Sequence, residues 1–235
     1  MRLNDAPRVR LVALAVCAFI LILPSISRAG LVVSVEAPGV QSTTVGFPVL
    51  VETFNARTVG SYTTINSAIG TYTASSPGAA VVAANAFGGA SQTRYISVGA
   101  QSAPTTTMDL TFFAPQAYFG LYWAAVDAQN SLELYSGNML IGTITRSTII
   151  GFTGNSGSYY GNPNTGQNTS EPYVFLNISG TQATTFDRVR FVNNGTGTGF
   201  ETDNHTISAV PEPTSLVSVG LGVLVGFAGY GRRRK

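Results

Sequence analysis

Tyr118-Phe119-Gly120-Leu121-Tyr122-Trp123-Ala124-Ala125-Val126 carries no charge and, Gly120 aside, is apolar or aromatic throughout. A strand with one face in water alternates apolar with polar residues, so a run without alternation needs cover on both faces. Its length and aromatic content suit a strand better than a helix. The stretch therefore predicts a central strand of a sheet buried on both sides.

Alternating segments surround it. Met108, Leu110 and Phe112 are interleaved with Thr107, Asp109 and Thr111, and Val189 and Phe191 with Arg188 and Arg190. Both read as half-buried strands. Leu132 and Leu134 lead into Ser136-Gly137-Asn138, and residues 139–145 run back, which predicts a hairpin. Further strands are expected at 31–36, 49–54, 68–73, 94–98, 173–178 and 205–209, with no helical pattern beyond two turns. Many short strands, 26 glycines and no βαβ alternation predict an all-β, antiparallel, jelly-roll-like β-sandwich over residues 30–209. No repeat of about 40 residues is present, which argues against a propeller. Residues 151–172, rich in Gly, Asn, Ser and Thr, read as a long loop.

The two ends differ from this middle. Arg2, Arg8 and Arg10 precede an apolar run at 11–23, Pro24 interrupts it, and Ser27 and Ala29 supply small side chains. This is the layout of a signal peptide over residues 1–29, cut by signal peptidase between Ala29 and Gly30. The 13-residue run is short of the ~20 residues that span a bilayer. Cys17, the single cysteine, lies within it behind the bulky Val16, which argues against lipidation. The mature chain is then expected to lack disulfides and cysteine-bound zinc. At the other end, Pro211-Glu212-Pro213 leads into an apolar stretch at 216–230, read as a transmembrane helix, followed by Arg232, Arg233, Arg234 and Lys235. Those terminal cations favour the cytoplasmic side, which places the middle segment across the membrane.

Charge follows the same division. Between Gly30 and Val210 there are five arginines, no lysine and nine carboxylates, so the basic balance of the whole chain comes from its ends. A nucleic-acid binder needs clustered cations to displace phosphate counterions, and the middle has none.

The arrangement of Pro211, Glu212 and Pro213, the short apolar helix and the arginine cluster resembles the PEP-CTERM sorting signal of bacterial proteins processed by exosortases. The resemblance covers residues 210–235. It implies that an exosortase recognises the Pro-Glu-Pro triplet in an inner-membrane precursor and removes the tail. The product is then expected at the cell surface or in the extracellular, exopolysaccharide or biofilm matrix of a Gram-negative bacterium. A plain tail anchor and a GPI-type signal are the alternatives. The stretch from Asp127 through Asn130, Leu132 and Tyr135 to Gly137 is similar to a segment of other exosortase-dependent surface proteins. Gly199-Phe200-Glu201-Thr202-Asp203-Asn204 is similar to the last strand of jelly-roll domains placed ahead of such signals.

Catalytic signatures are absent, and no enzymatic activity is expected. His205 is the sole histidine, with no nucleophile elbow to serve it, and reads as a structural residue. Glu52, Glu133, Glu171 and Glu201 could supply the two carboxyls of a glycosidase, but no pattern pairs them. Asp127 with Asn130, and Glu201 with Asp203 and Asn204, are oxygen-rich groups that suit calcium, or side chains that cap turns before strands. Tyr159, Tyr160 and Trp123 could stack on sugar rings, which would make the domain a carbohydrate-binding module. Asn168, Asn177, Asn194 and Asn204 head N-x-S/T triplets, which in a bacterial chain are not expected to carry glycans.

Overall fold

The computed structural model describes residues 30–209 apart from Ala90, Ser91, Asn155 and Gln182. In chain order the strands are β1 (Gly30–Val35), β2 (Val49–Glu52), β3 (Gly60–Tyr62), β4 (Thr64–Asn66), β5 (Gly70–Ala74), β6 (Ala79–Val82) and β7 (Tyr95–Val98). Next come β8 (Thr107–Gln116), β9 (Tyr118–Ala124), β10 (Asn130–Ser136), β11 (Met139–Thr145), β12 (Val174–Thr181), β13 (Phe186–Asn193) and β14 (Phe200–Ser208). One helix, α1 (Arg146–Thr153), and a 3-10 turn at Gly157–Tyr159 lie between β11 and β12.

Two antiparallel sheets result. The larger runs β1-β12-β9-β14-β7-β6-β3, with β2 beside the second half of β14, and the smaller runs β11-β10-β13-β8-β5-β4. The chain crosses between sheets at β3–β4, β5–β6, β7–β8, β8–β9, β9–β10, β11–β12, β12–β13 and β13–β14, so strands adjacent in a sheet are seldom adjacent in sequence.

The apolar run at 118–126 forms β9, between β12 and β14, with every residue of the strand buried. Phe119, Leu121 and Trp123 enter the core shared with Leu110, Leu132, Leu134, Val189 and Phe191 of the smaller sheet. Tyr122 and Ala124 point the other way, into a second apolar layer with Tyr173 and Phe175. The absence of alternation has this cause, since loops cover the outer face of the larger sheet. Each large side chain buried in this way contributes about 1.5–3 kcal/mol.

The expected hairpin forms between β10 and β11, and Gly137 takes φ 58° at its turn. All six of the further strands have shifted bounds, by one residue at each end for 31–36 and at the start for 94–98, and by more for the other four. The strand expected at 68–73 starts at Gly70, because Ser67 bonds Gly70 O and closes the β4–β5 turn. The last strand begins at Phe200 rather than 205, and those at 49–54 and 173–178 become Val49–Glu52 and Val174–Thr181. The segment expected as loop at 151–172 opens inside α1, where Thr145 and Thr148 form a capping box.

Register also fixes where the chain enters and leaves. Gly30 pairs with Thr181, Ser179 with Tyr118, and Phe119 with Ile207. The start of β1 and the finish of β14 therefore lie at one end of the larger sheet, the terminal end, three strand spacings or about 14 Å apart. The opposite, far end carries the β9–β10 loop, α1 and the start of β14.

Candidate functional site

At the far end, β14 begins by sending Phe200 into the core against Trp123, with ring centroids 4.5 Å apart, and Glu201 to the outer face. Glu201 is 1% exposed, and among the described residues neither carboxylate oxygen has a hydrogen-bond partner outside its own residue. Gly199 makes room for it, since a Cβ there would stand 2.1 Å from Glu201 Oε1. Burial pushes the Glu201 carboxyl well above the usual carboxylate range, and the charges of Asp127 and Glu171 push it further. Burial raises the carboxyls of both Asp127 and Glu171, and the nearby charge of Asp127 raises Glu171 further. Arg146, at the start of α1, opposes these shifts and also donates to Ser170 O at 3.0 Å. The result is a carboxyl cluster with Tyr95 and Tyr173 beside it.

The oxygen-rich groups read from sequence do not stay together. Asn130 is buried and turned inward. It donates to Gly199 O at 2.9 Å and accepts from Asn193 Nδ2 at 2.6 Å, so it ties three chain segments rather than capping a turn. Asp203 accepts from the Asn204 amide at 2.7 Å and from Thr93 Oγ1 at 3.3 Å, while Asn204 donates to Gln41 O. Asn204 has φ 52° and lies at a bulge opposite β9, which leaves Asp203 and Asn204 outside and returns His205 to the core. Among the described residues no group of three or more His, Cys, Asp or Glu side chains could hold a metal ion.

His205 is fully buried within β14 rather than at a strand start. Its ring stacks on Phe191 at 5.0 Å and 8°, with Nδ1 2.9 Å from Tyr72 Oη and Nε2 2.9 Å from Thr202 Oγ1. Burial lowers its pKa to about 3, so the ring is neutral and structural. Trp123, read from sequence as a sugar platform, is 0% exposed and unavailable, because the adjacent strands and Phe200 enclose it. Tyr159 is half-buried and donates to Glu36 O at 3.0 Å, and Tyr160 is also half-buried. Of the four candidate glutamates, Glu171 in the loop before β12 and Glu201 on β14 approach each other in the carboxyl cluster, while Glu52 on β2 and Glu133 on β10 lie apart from it.

A second polar constellation lies on the outer face of the smaller sheet. Asp109, Arg190 and Glu133 are register partners across β8, β13 and β10. Arg190 donates to Asp109 through Nε at 2.7 Å and through a second nitrogen at 2.9 Å. Arg188 lies 3.8 Å from the centroid of the Tyr135 ring, and Tyr135 Oη donates to Glu133. The alternation of Arg188 and Arg190 signalled this face in the sequence. The proximity of Asp127 to Glu171 had no local signal, because 44 residues separate them.

The sandwich, whose one histidine serves packing alone, is a β-rich domain with its clearest functional element beyond the last strand. Residues 209–235 match the family model of the PEP-CTERM protein-sorting motif. The chain therefore carries that motif directly after β14, and the motif marks an exported surface protein targeted to an exosortase. No curated protein and no solved structure matches the chain. Among the described residues no helix is long and apolar enough to cross a membrane. Pro211, Glu212, Pro213, the apolar stretch at 216–230, Arg232, Arg233, Arg234 and Lys235 lie outside the described residues, as do residues 1–29 with Ala29.

Proposed function

We propose that the chain is a non-catalytic surface or matrix protein of a Gram-negative envelope. Its jelly-roll-like sandwich is the displayed part, and the tail is its address. The carrying observation is the sorting motif at 209–235, which starts one residue after β14 ends. Signal peptidase cuts before Gly30, a reading supported by the small side chains of Ser27 and Ala29 behind the apolar run at 11–23. The apolar stretch then holds the precursor in the inner membrane until an exosortase recognises Pro211-Glu212-Pro213. Glu212→Ala is the test. It should leave the sandwich folded, because the triplet lies beyond the last strand, and should abolish removal of the tail. A C-terminal peptide ending in Lys235 from wild-type cells that contain exosortase would defeat this reading.

A second reading, a carbohydrate-binding module, is favoured by the Tyr135, Arg188, Arg190, Asp109 and Glu133 ladder, which offers an aromatic ring and paired charges on one sheet face. Binding on a glycan array that is lost with Tyr135→Ala would support it. Release of reducing sugar would instead point to an enzyme using Asp127 and Glu171.

A further inference from the structure

We infer that in the membrane-anchored precursor the terminal end of the sandwich rests on the lipid bilayer through an exposed apolar rim that includes Phe47, Leu50, Phe113, Met139 and Leu140. The inference rests on the anchored precursor of the proposed function and adds how the domain is oriented and what it touches. Single exposed apolar residues are ordinary on a protein surface, so their placement carries the argument.

Strand register brings these five side chains to one end. Leu50 pairs with Ile207 near the finish of β14, and Phe47 just before β2 packs its ring edge-on against Tyr118 at the start of β9, 5.1 Å between centroids. Phe113 lies near the finish of β8, which leads through Ala117 into β9. Met139 and Leu140 open β11 at the Gly137 turn, and the Gly137 amide bonds Asp187 in the second position of β13. Phe113 is 71% exposed, Met139 60% and Leu140 49%.

The tether is short. Ala209 N bonds Pro48 O at 2.8 Å, and six residues separate Ala209 from the apolar run that opens at Leu216. Fully extended they reach about 20 Å, so the terminal end cannot turn away from the bilayer. The far end carries Asp127, Glu171, Glu201 and Arg146, which a membrane would reject. Aromatic and aliphatic side chains at the headgroup level are what an interface retains.

Site-directed spin labelling tests this on the uncleaved precursor. In a Cys17→Ser background, the variants Phe113→Cys, Leu140→Cys and, as far-end control, Phe152→Cys each carry one nitroxide. The full chain is placed in phosphatidylcholine vesicles without exosortase. Power saturation should shift labels at 113 and 140 toward oxygen access and away from a soluble nickel chelate, leaving the label at 152 open to nickel. Equal nickel access at all three positions, in protein that resists carbonate extraction, overturns the bilayer contact while keeping the anchor. Release by carbonate overturns the anchor itself, and this proposal with it. Shielding of 113 and 140 only once exosortase is added overturns it in favour of a protein partner.

Discussion

At His205 a titratable ring is held where its charged form cannot be solvated. Its pKa falls to about 3 in the fold, against about 6.5 in the unfolded chain. The unfolded state therefore gains the proton first as pH drops. The stability contributed is complete above about pH 6.5 and declines below it, by about 1.4 kcal/mol per pH unit until the folded pKa is reached. His205→Leu should remove this acid sensitivity. It should also leave Tyr72 Oη and Thr202 Oγ1 without their ring partner, at a cost of about 2–4 kcal/mol at neutral pH. Urea unfolding of both proteins across this pH range checks slope and offset together. Glu201 has the opposite sign. Its folded pKa is raised by burial, so its contribution is most favourable below about pH 4.3 and is lost as pH rises toward the folded value. Glu201→Gln should accordingly raise the melting temperature at neutral pH, with the gain shrinking in acid. A variant less stable than wild type at neutral pH would contradict the account of this buried carboxyl.

Among the elements, the β10–β11 hairpin isolates a backbone requirement from packing. Gly137 has φ 58°, and a Cβ there would meet nothing within 4 Å. Gly137→Asn should thus be nearly neutral, because Asn tolerates the left-handed region, whereas Gly137→Val should cost about 1–3 kcal/mol. Thermal unfolding of the two variants separates dihedral strain from steric exclusion. This hairpin was legible in the sequence because a turn residue with a known conformational role stands between two alternating segments. β9 was legible for the complementary reason, that lack of alternation reports cover on both faces. The short strands β3, β4 and β6 were not, since three or four residues give too little periodicity, and α1 follows β11 with no break that its eight residues could announce. The oxygen-rich groups were visible as composition but not as geometry. A bulge at Asn204 and the inward turn of Asn130 decide which side chains meet, and both depend on strands distant in sequence.

At the scale of the whole molecule, the charge of the chain is unevenly distributed. The carboxyl cluster is at the far end, both termini leave from the other, and the only basic run stands beyond the apolar stretch. Cations on one flank of a membrane segment fix which flank stays in the cytoplasm. Replacing Arg232, Arg233 and Arg234 by Gln leaves Lys235 as the single charge there, and the orientation should lose its bias even though apolar length is unchanged. The sandwich itself should fold as before, since its last hydrogen bond to the described chain is made by Ala209. Protease added outside spheroplasts reads the orientation directly, because it reaches the sandwich only when that domain has crossed the membrane. The wild-type precursor should be cut in full and the triple variant only in part. Equal cutting of both would mean that the basic and apolar residues at 2–23, rather than the terminal arginines, set the topology.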